Sequence, residues 1–385
     1  MSIELSGGSS ESALQAYMSI PPLLDSLEGF TRSTPTYLNP TSSPATTPFD
    51  SHREVHRYLS TALSRAAILS SRSSDLNRSL RILRSYHSLS RTWPASFRPT
   101  QRHRMLLLYL RALQAGYPAP NVACTTPYLV DIGSSDLPAR QVWKKEVLEA
   151  FRQGQQLLSS TTSFPRAGTI NYPVRRFIEA CVAIANVHTP FAKDVVAILY
   201  WSQTLTFQSQ STLRHLTRLL AASGSYTDAK RNFELYVQIV LKDRETKQPE
   251  ISLQLKRRPT DDTPEHPDDI AKQAQEAANE VGPEAEERKT QIAEAESDSN
   301  TDFVKALVVG SRLLLKDLNE VEEAWRYANL AGKVVSISDA QGKGLPSSVR
   351  GEVAECKGIV RMAMAMSSDM PGKLAVPIRH TFTRA

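Results

Sequence analysis

Cysteine is scarce. Three residues (Cys124, Cys181, Cys356) are spread through 385, with no C-x-x-C pair. That spacing excludes a disulfide framework and a cysteine zinc knuckle, and it suits a reducing compartment. Long apolar runs are missing as well. No stretch reaches the roughly 18 residues that a membrane-spanning helix needs. The opening MSIELSGGSSESALQAY has no basic region followed by an apolar core, so no secretory leader is expected. Val/Ile/Thr-rich runs of alternating polarity are absent, which argues against a sheet protein.

Patterns that mark enzymes or metal sites are incomplete. HREVH, from His52 to His56, places two histidines at i and i+4, but Glu54 is one position off the zinc-protease order. No third ligand is evident, so both histidines are expected on a helix surface. GKGLPS, from Gly342 to Ser347, follows no strand and lacks a third phosphate-loop glycine. PGKL near the C-terminal end lacks the leading glycine and the Ser/Thr of a P-loop. Cys181, in an apolar run, is expected to be a small core residue. Trp143, Trp201 and Trp325 are also expected in the core. The reading is therefore no enzyme, no cofactor and no metal.

Charge is unevenly distributed. The net +6 conceals an acidic stretch, Thr260 to Asp302, with 14 acids against 3 bases, a balance of −11. The remainder carries +6 − (−11) = +17. Between Ser51 and Pro120 stand 12 arginines, no lysine and two acids, Glu54 and Asp75. Arg78, Arg81 and Arg84, spaced by three, are the candidate anion-facing group, directed at phosphate or anionic lipid. The alternative is a solvated face, or one paired with the chain's own acids. Aromatic interleaving is thin there, so no nucleic-acid partner is expected.

What is present is helical periodicity. Residues 1–50 are rich in Ser, Thr and Pro and read as mostly disordered, because such composition buries little apolar surface. ALQAYMSIPPLLDSLEGF within them reads as a short docked helix or a motif that folds on a partner. From His52, apolar residues recur at helical spacing in successive segments that end at Gly or Pro. The fold class is all-α: an α-solenoid of tetratricopeptide-like hairpins with a disordered acidic insertion. The domain reading is a mostly disordered segment 1–50, a helical-hairpin solenoid 51–247, an acidic disordered linker 248–301, further helical repeats 302–368, and a divergent, disordered tail 369–385.

The repeat has a period of about 34 residues. Its register fits Leu213, Leu216, Thr217, Leu220, Gly224, Tyr226, Ala229, Phe233 and Tyr236. Gly224 opens the turn. Tyr226 and Ala229 are expected to pack the hairpin, and Phe233 and Tyr236 to face the next unit. A second hairpin at 303–335 places Ala324, Ala328 and Ala331 in the second helix and Asn319 at the turn. Small residues let helices approach and large ones fill the gaps between hairpins.

The stretch AILYWSQTLTFQSQSTLRHLTRLLAASGSYTDAKRNFELYVQIVLKDRETKQPE is more specific than the repeat template. With LLSSTTSFPRAGTINYPVRRFIEACVAI, ALVVGSRLLLKDLNEVEEAWRYANLAG and EVAECKGIVRMAMA, it resembles the fungal cargo-transport or filamentation protein family. Those are tetratricopeptide-repeat proteins, related to the tetratricopeptide subunit of the animal plasma-membrane phosphatidylinositol 4-kinase complex. The resemblance spans roughly residues 50–366. It implies a non-catalytic scaffold that recruits the lipid kinase together with a membrane-anchored scaffold protein. It also implies cytoplasmic and peripheral plasma-membrane placement, and a link to phosphoinositide supply and endocytosis. Family members are longer, so the departure near Asp369 reads as a truncated member whose last helix lacks its covering partners. The alternatives are a generic protein-interaction adaptor, or a basic helical module that binds anionic lipid or nucleic acid directly.

Overall fold

The structure is a computed structural model. It describes residues 9–19, 49, 53–72, 76–115, 139–166, 169–247, 297–342 and 344–368. Among the described residues every regular element is helical. The α-helices are α1 (Ser10–Met18), α2 (Arg53–Arg72), α3 (Leu76–Ser90), α4 (Pro99–Ala115), α5 (Ala139–Thr161) and α6 (Tyr172–Val187). They continue with α7 (Ala192–Ser202), α8 (Gln210–Ala222), α9 (Tyr226–Lys247), α10 (Asn300–Lys316), α11 (Val321–Ala340) and α12 (Ser347–Ser368). A 3-10 turn at Thr189–Phe191 precedes α7. The readings of disorder at 20–48 and in the 369–385 tail fall outside the described residues, as does Cys124.

The chain forms two compact units. One comprises Met1–Ser163 with Tyr172–Val195, and the other Phe164–Asn171 with Val196–Ala385. The pairs α8–α9 and α10–α11 lie on either side of the acidic stretch in sequence and share one core. Burying apolar faces against each other, at about 25 cal/mol per Å², outweighs the modest entropy of joining segments distant along the chain.

In the first unit, α4 is the central helix and packs against α2, α3, α5 and α6. Its buried residues Met105, Leu106, Tyr109, Leu110 and Leu113 follow the spacing of a single helical face. The turn from α3 to α4 is fixed by aromatic rings. Trp93 meets Tyr86 and Phe97 edge to face, at centroid distances of 5.6 and 5.2 Å. Trp93 Nε1 donates to His56 Nδ1 at 2.9 Å. His56 is therefore buried, not on the surface as the sequence suggested; His52 lies outside the described residues. Gly154 of α5 takes the Phe177 ring so closely that a Cβ would lie 2.2 Å from a ring carbon.

In the second unit, α8–α9 and α10–α11 are antiparallel hairpins stacked side by side, and α12 packs onto both α10 and α11. Each hairpin turns on a left-handed residue. Gly224 has φ +83°, and Asn319 takes the same role with φ 57°. Ser225 N–H bonds to Leu220 O at 3.0 Å, and Glu320 N–H to Leu314 O at 2.8 Å, closing the two helix ends. Ser209 and Ser299 cap the starts of α8 and α10.

Candidate functional site

The Arg78–Arg81–Arg84 group does not present one anion-facing surface. A step of three residues turns a helix by about 300°, so residues six apart are about 120° apart around the axis. Arg78 Nη1 donates to both Glu11 carboxylate oxygens, at 2.9 and 3.1 Å. Arg81 is exposed. Arg84 points inward. Its Nε and Nη2 grip Glu146 at 2.6 and 2.8 Å, and the two side chains are 3% and 1% exposed. Tyr109 hydroxyl donates to the same Glu146 carboxylate. The expectation for Arg84 is thus corrected: its charge is matched inside the core, where an unpaired guanidinium would be costly.

Next to that pair, His87 stacks on Tyr109 at 4.6 Å between ring centroids. Burial pushes the His87 imidazole down to about 4, so the ring is neutral near pH 7. Burial first, and then the Glu146 charge, hold the Tyr109 phenol well above its ordinary value. A cavity of about 390 Å³ opens beside these groups, between α3, α4 and α5. Arg91, Arg102, Glu149 and Gln153 line its polar side, with Trp93 and Leu157 among the apolar residues. Arg91 Nη2 donates to Glu149 at 2.7 Å, and the Gln153 amide oxygen accepts from the same guanidinium. Arg102 Nη1 donates to Pro94 O at 2.9 Å. The hydroxyl of Ser90, which also lines the cavity, donates to the His87 backbone carbonyl at 3.0 Å rather than to a ring nitrogen.

In the second unit, the repeat register becomes a packing surface. Leu213, Leu216 and Leu220 of α8 are buried, as are Ala229, Phe233 and Tyr236 of α9 and Ala324 and Ala328 of α11. Phe233 meets Tyr327 of α11 edge to face, with centroids 4.8 Å apart. The Phe233 ring also covers Gly310 of α10, where a Cβ would lie 2.1–2.4 Å from three of its carbons. Tyr226 departs from its expected packing role, because it is 36% exposed. It is the first residue of α9, and its side chain hydrogen-bonds with Asp317, just past the end of α10, while staying part-exposed. No sequence motif marks Gly310. An interior helix glycine costs about 1 kcal/mol relative to alanine, which is the signal that marks a close approach.

The acidic stretch ends in a clasp. Asp298 accepts from Arg214 Nε at 2.8 Å, from Arg214 Nη2 at 3.3 Å, and from Tyr236 hydroxyl at 2.8 Å. Its backbone N–H donates to the buried Gln210 Oε1 at 2.8 Å. Ser297 hydroxyl donates to Asp243 at 2.6 Å, and Arg214 Nη1 reaches Asp302 at 3.3 Å. Residues 297–301, assigned to the linker from composition, thus belong to the folded unit; 248–296 lie outside the described residues. Burial and Asp298 together raise the Tyr236 phenol above its ordinary range.

Cys181 and Trp143 are buried, whereas Trp201 and Trp325 are half-buried. On α12, Val353 and Val360 are buried, while Met362 and Met366 are exposed. Among the described residues, no group of three or more His, Cys, Asp or Glu side chains gathers as a metal-binding set. Among the same residues, no helix is long and apolar enough to cross a membrane. No protein-family model matches the chain, and no curated protein matches it.

Proposed function

We propose that the chain is a non-catalytic helical-repeat scaffold that helps bring a phosphatidylinositol 4-kinase to the plasma membrane. It acts with a membrane-anchored scaffold protein, from the cytoplasmic face, and so contributes to phosphoinositide supply and endocytosis. The observation that carries the scaffold reading is the seating of Phe233 on Gly310 and Tyr327, which stacks one hairpin on the next. Stacked hairpins bury their joints and leave their outer faces for partners. The choice of partner rests on the sequence resemblance carried by residues 50–366.

The test is capture from fungal lysate on the immobilised full chain at low and moderate salt. The bound fraction is assayed for phosphorylation of phosphatidylinositol at the 4-position. Kinase activity retained above a Gly310→Trp control supports the reading. Its repeated absence with a folded chain argues against the kinase assignment and leaves a scaffold for a different cargo.

A further inference from the structure

Helix α1 occupies the first unit in an unusual way. It has nine residues, too few to hold helical structure alone in water. Its order comes from docking along α2. Among its described side chains, Ala13, Leu14 and Tyr17 are buried, at spacings of one and three, while Glu11, Ser12, Gln15 and Ala16 are exposed. Glu11 reaches across to Arg78 of α3, and both partners are part-exposed. Ser9 caps the helix start by accepting from Ser12 N–H at 3.1 Å. Helices α2, α3 and α4 also pack directly on one another. Residues 20–48 separate α1 from Phe49, whose ring stacks on His56 at 5.0 Å and meets Phe97 at 5.1 Å. A covalent tether of that length holds a ligand at an effective concentration on the order of millimolar.

We propose that the face of α2 and α3 beneath α1 is a helix-binding groove with α1 as its resident. The occupant it fits in trans is an amphipathic partner helix with the pattern acid–x–Ala–Leu–x–x–Tyr, the pattern of Glu11 to Tyr17. The small residue lets the partner backbone approach, Leu and Tyr fill the apolar trough, and the acid selects register through Arg78. Such a partner displaces α1 by competition, so access to the groove is set by the chain's own N-terminal helix. This inference is independent of the lipid-kinase reading.

The probe is a fluorescein-labelled peptide of residues 7–20, followed by anisotropy against the full chain. The wild-type chain, with its groove occupied, is expected to bind at least about tenfold more weakly than a full-length Leu14→Asp variant, whose own helix no longer docks. The same peptide carrying Leu14→Asp is expected to show no binding. Arg78→Glu in the Leu14→Asp chain lowers the affinity by about fivefold or more, and Glu11→Arg in the peptide restores it. A protease site placed among residues 20–48 gives a second measurement. After cleavage, the fragment with α1 should exchange against excess peptide within minutes. The proposal is overturned if the Leu14→Asp chain is folded and binds no peptide, or if both chains bind equally. It is overturned equally if the charge swap restores nothing, if the cleaved fragment never exchanges, or if Leu14→Asp unfolds the first unit. Each of the last two outcomes makes α1 a permanent part of the core.

Discussion

Replacing Gly310 with alanine tests the joint between hairpins. On α10, the added Cβ would lie 2.1, 2.3 and 2.4 Å from three carbons of the Phe233 ring. Carbon–carbon contacts are comfortable near 3.5–4.0 Å, so the ring must move by about 1 Å or more. It has little room, since Phe233 is fully buried and Tyr327 stands 4.8 Å away, centroid to centroid. Overpacking of this kind costs about 1–3 kcal/mol. Alanine returns up to about 1 kcal/mol through helix propensity. The net expectation is a loss of about 1–2 kcal/mol in the second unit, or roughly 2–8 °C in its melting transition. Two-probe urea unfolding is the assay, with Gly358→Ala on α12 as the control. Nothing lies within 4 Å of a Cβ there, so that variant should gain up to about 1 kcal/mol. Pairing Gly310→Ala with Phe233→Leu should recover part of the loss, as a coupled double-mutant cycle. If Gly310→Ala matches the stability gain of Gly358→Ala, the ring is not seated on Gly310 and the stacking argument fails.

Three further outcomes follow from the buried ionisable groups. Glu146→Ala strands Arg84 and should cost about 3–5 kcal/mol, whereas the Arg84→Met, Glu146→Leu double variant should recover most of it in urea unfolding. Asp298→Asn weakens the grip of Arg214 and Tyr236, at about 1.5–3 kcal/mol; faster amide exchange in the first turn of α10, with α8 unchanged, is the readout. His87 contributes a pH dependence. Its folded value is about 4 against 6.5 unfolded, so between those values the unfolded chain binds the extra proton. The stability tied to His87 is fully present above about pH 6.5 and declines as pH falls, levelling off near 4. The loss is on the order of 3 kcal/mol, and His87→Gln should flatten that part of the stability–pH curve.

Much of the fold was legible because it is local. Helical spacing of Leu213, Leu216 and Leu220, the turn at Gly224 and the run Ala229–Phe233–Tyr236 reflect a helix's own period and the φ that glycine tolerates. The site was less legible. Spacing placed Arg78, Arg81 and Arg84 on nearby turns, but which of them points inward depends on where α5 brings Glu146. Tyr226 fits the repeat register, yet it stays part-exposed because its partner is Asp317 of the next hairpin. His56 reads as a surface histidine until Trp93, 37 residues later, is folded over it.

The amino-acid sequence by itself determined an all-helical chain, its turn residues and its strongly uneven charge, because these depend on neighbours within a few residues. Only the tertiary structure decided that Asp298 belongs to the second unit, that Gly310 is a socket for Phe233, and that Glu11 answers Arg78. Those partners lie roughly 60–90 residues apart along the chain. No local rule links them; the requirement to bury apolar faces and to match each buried charge does.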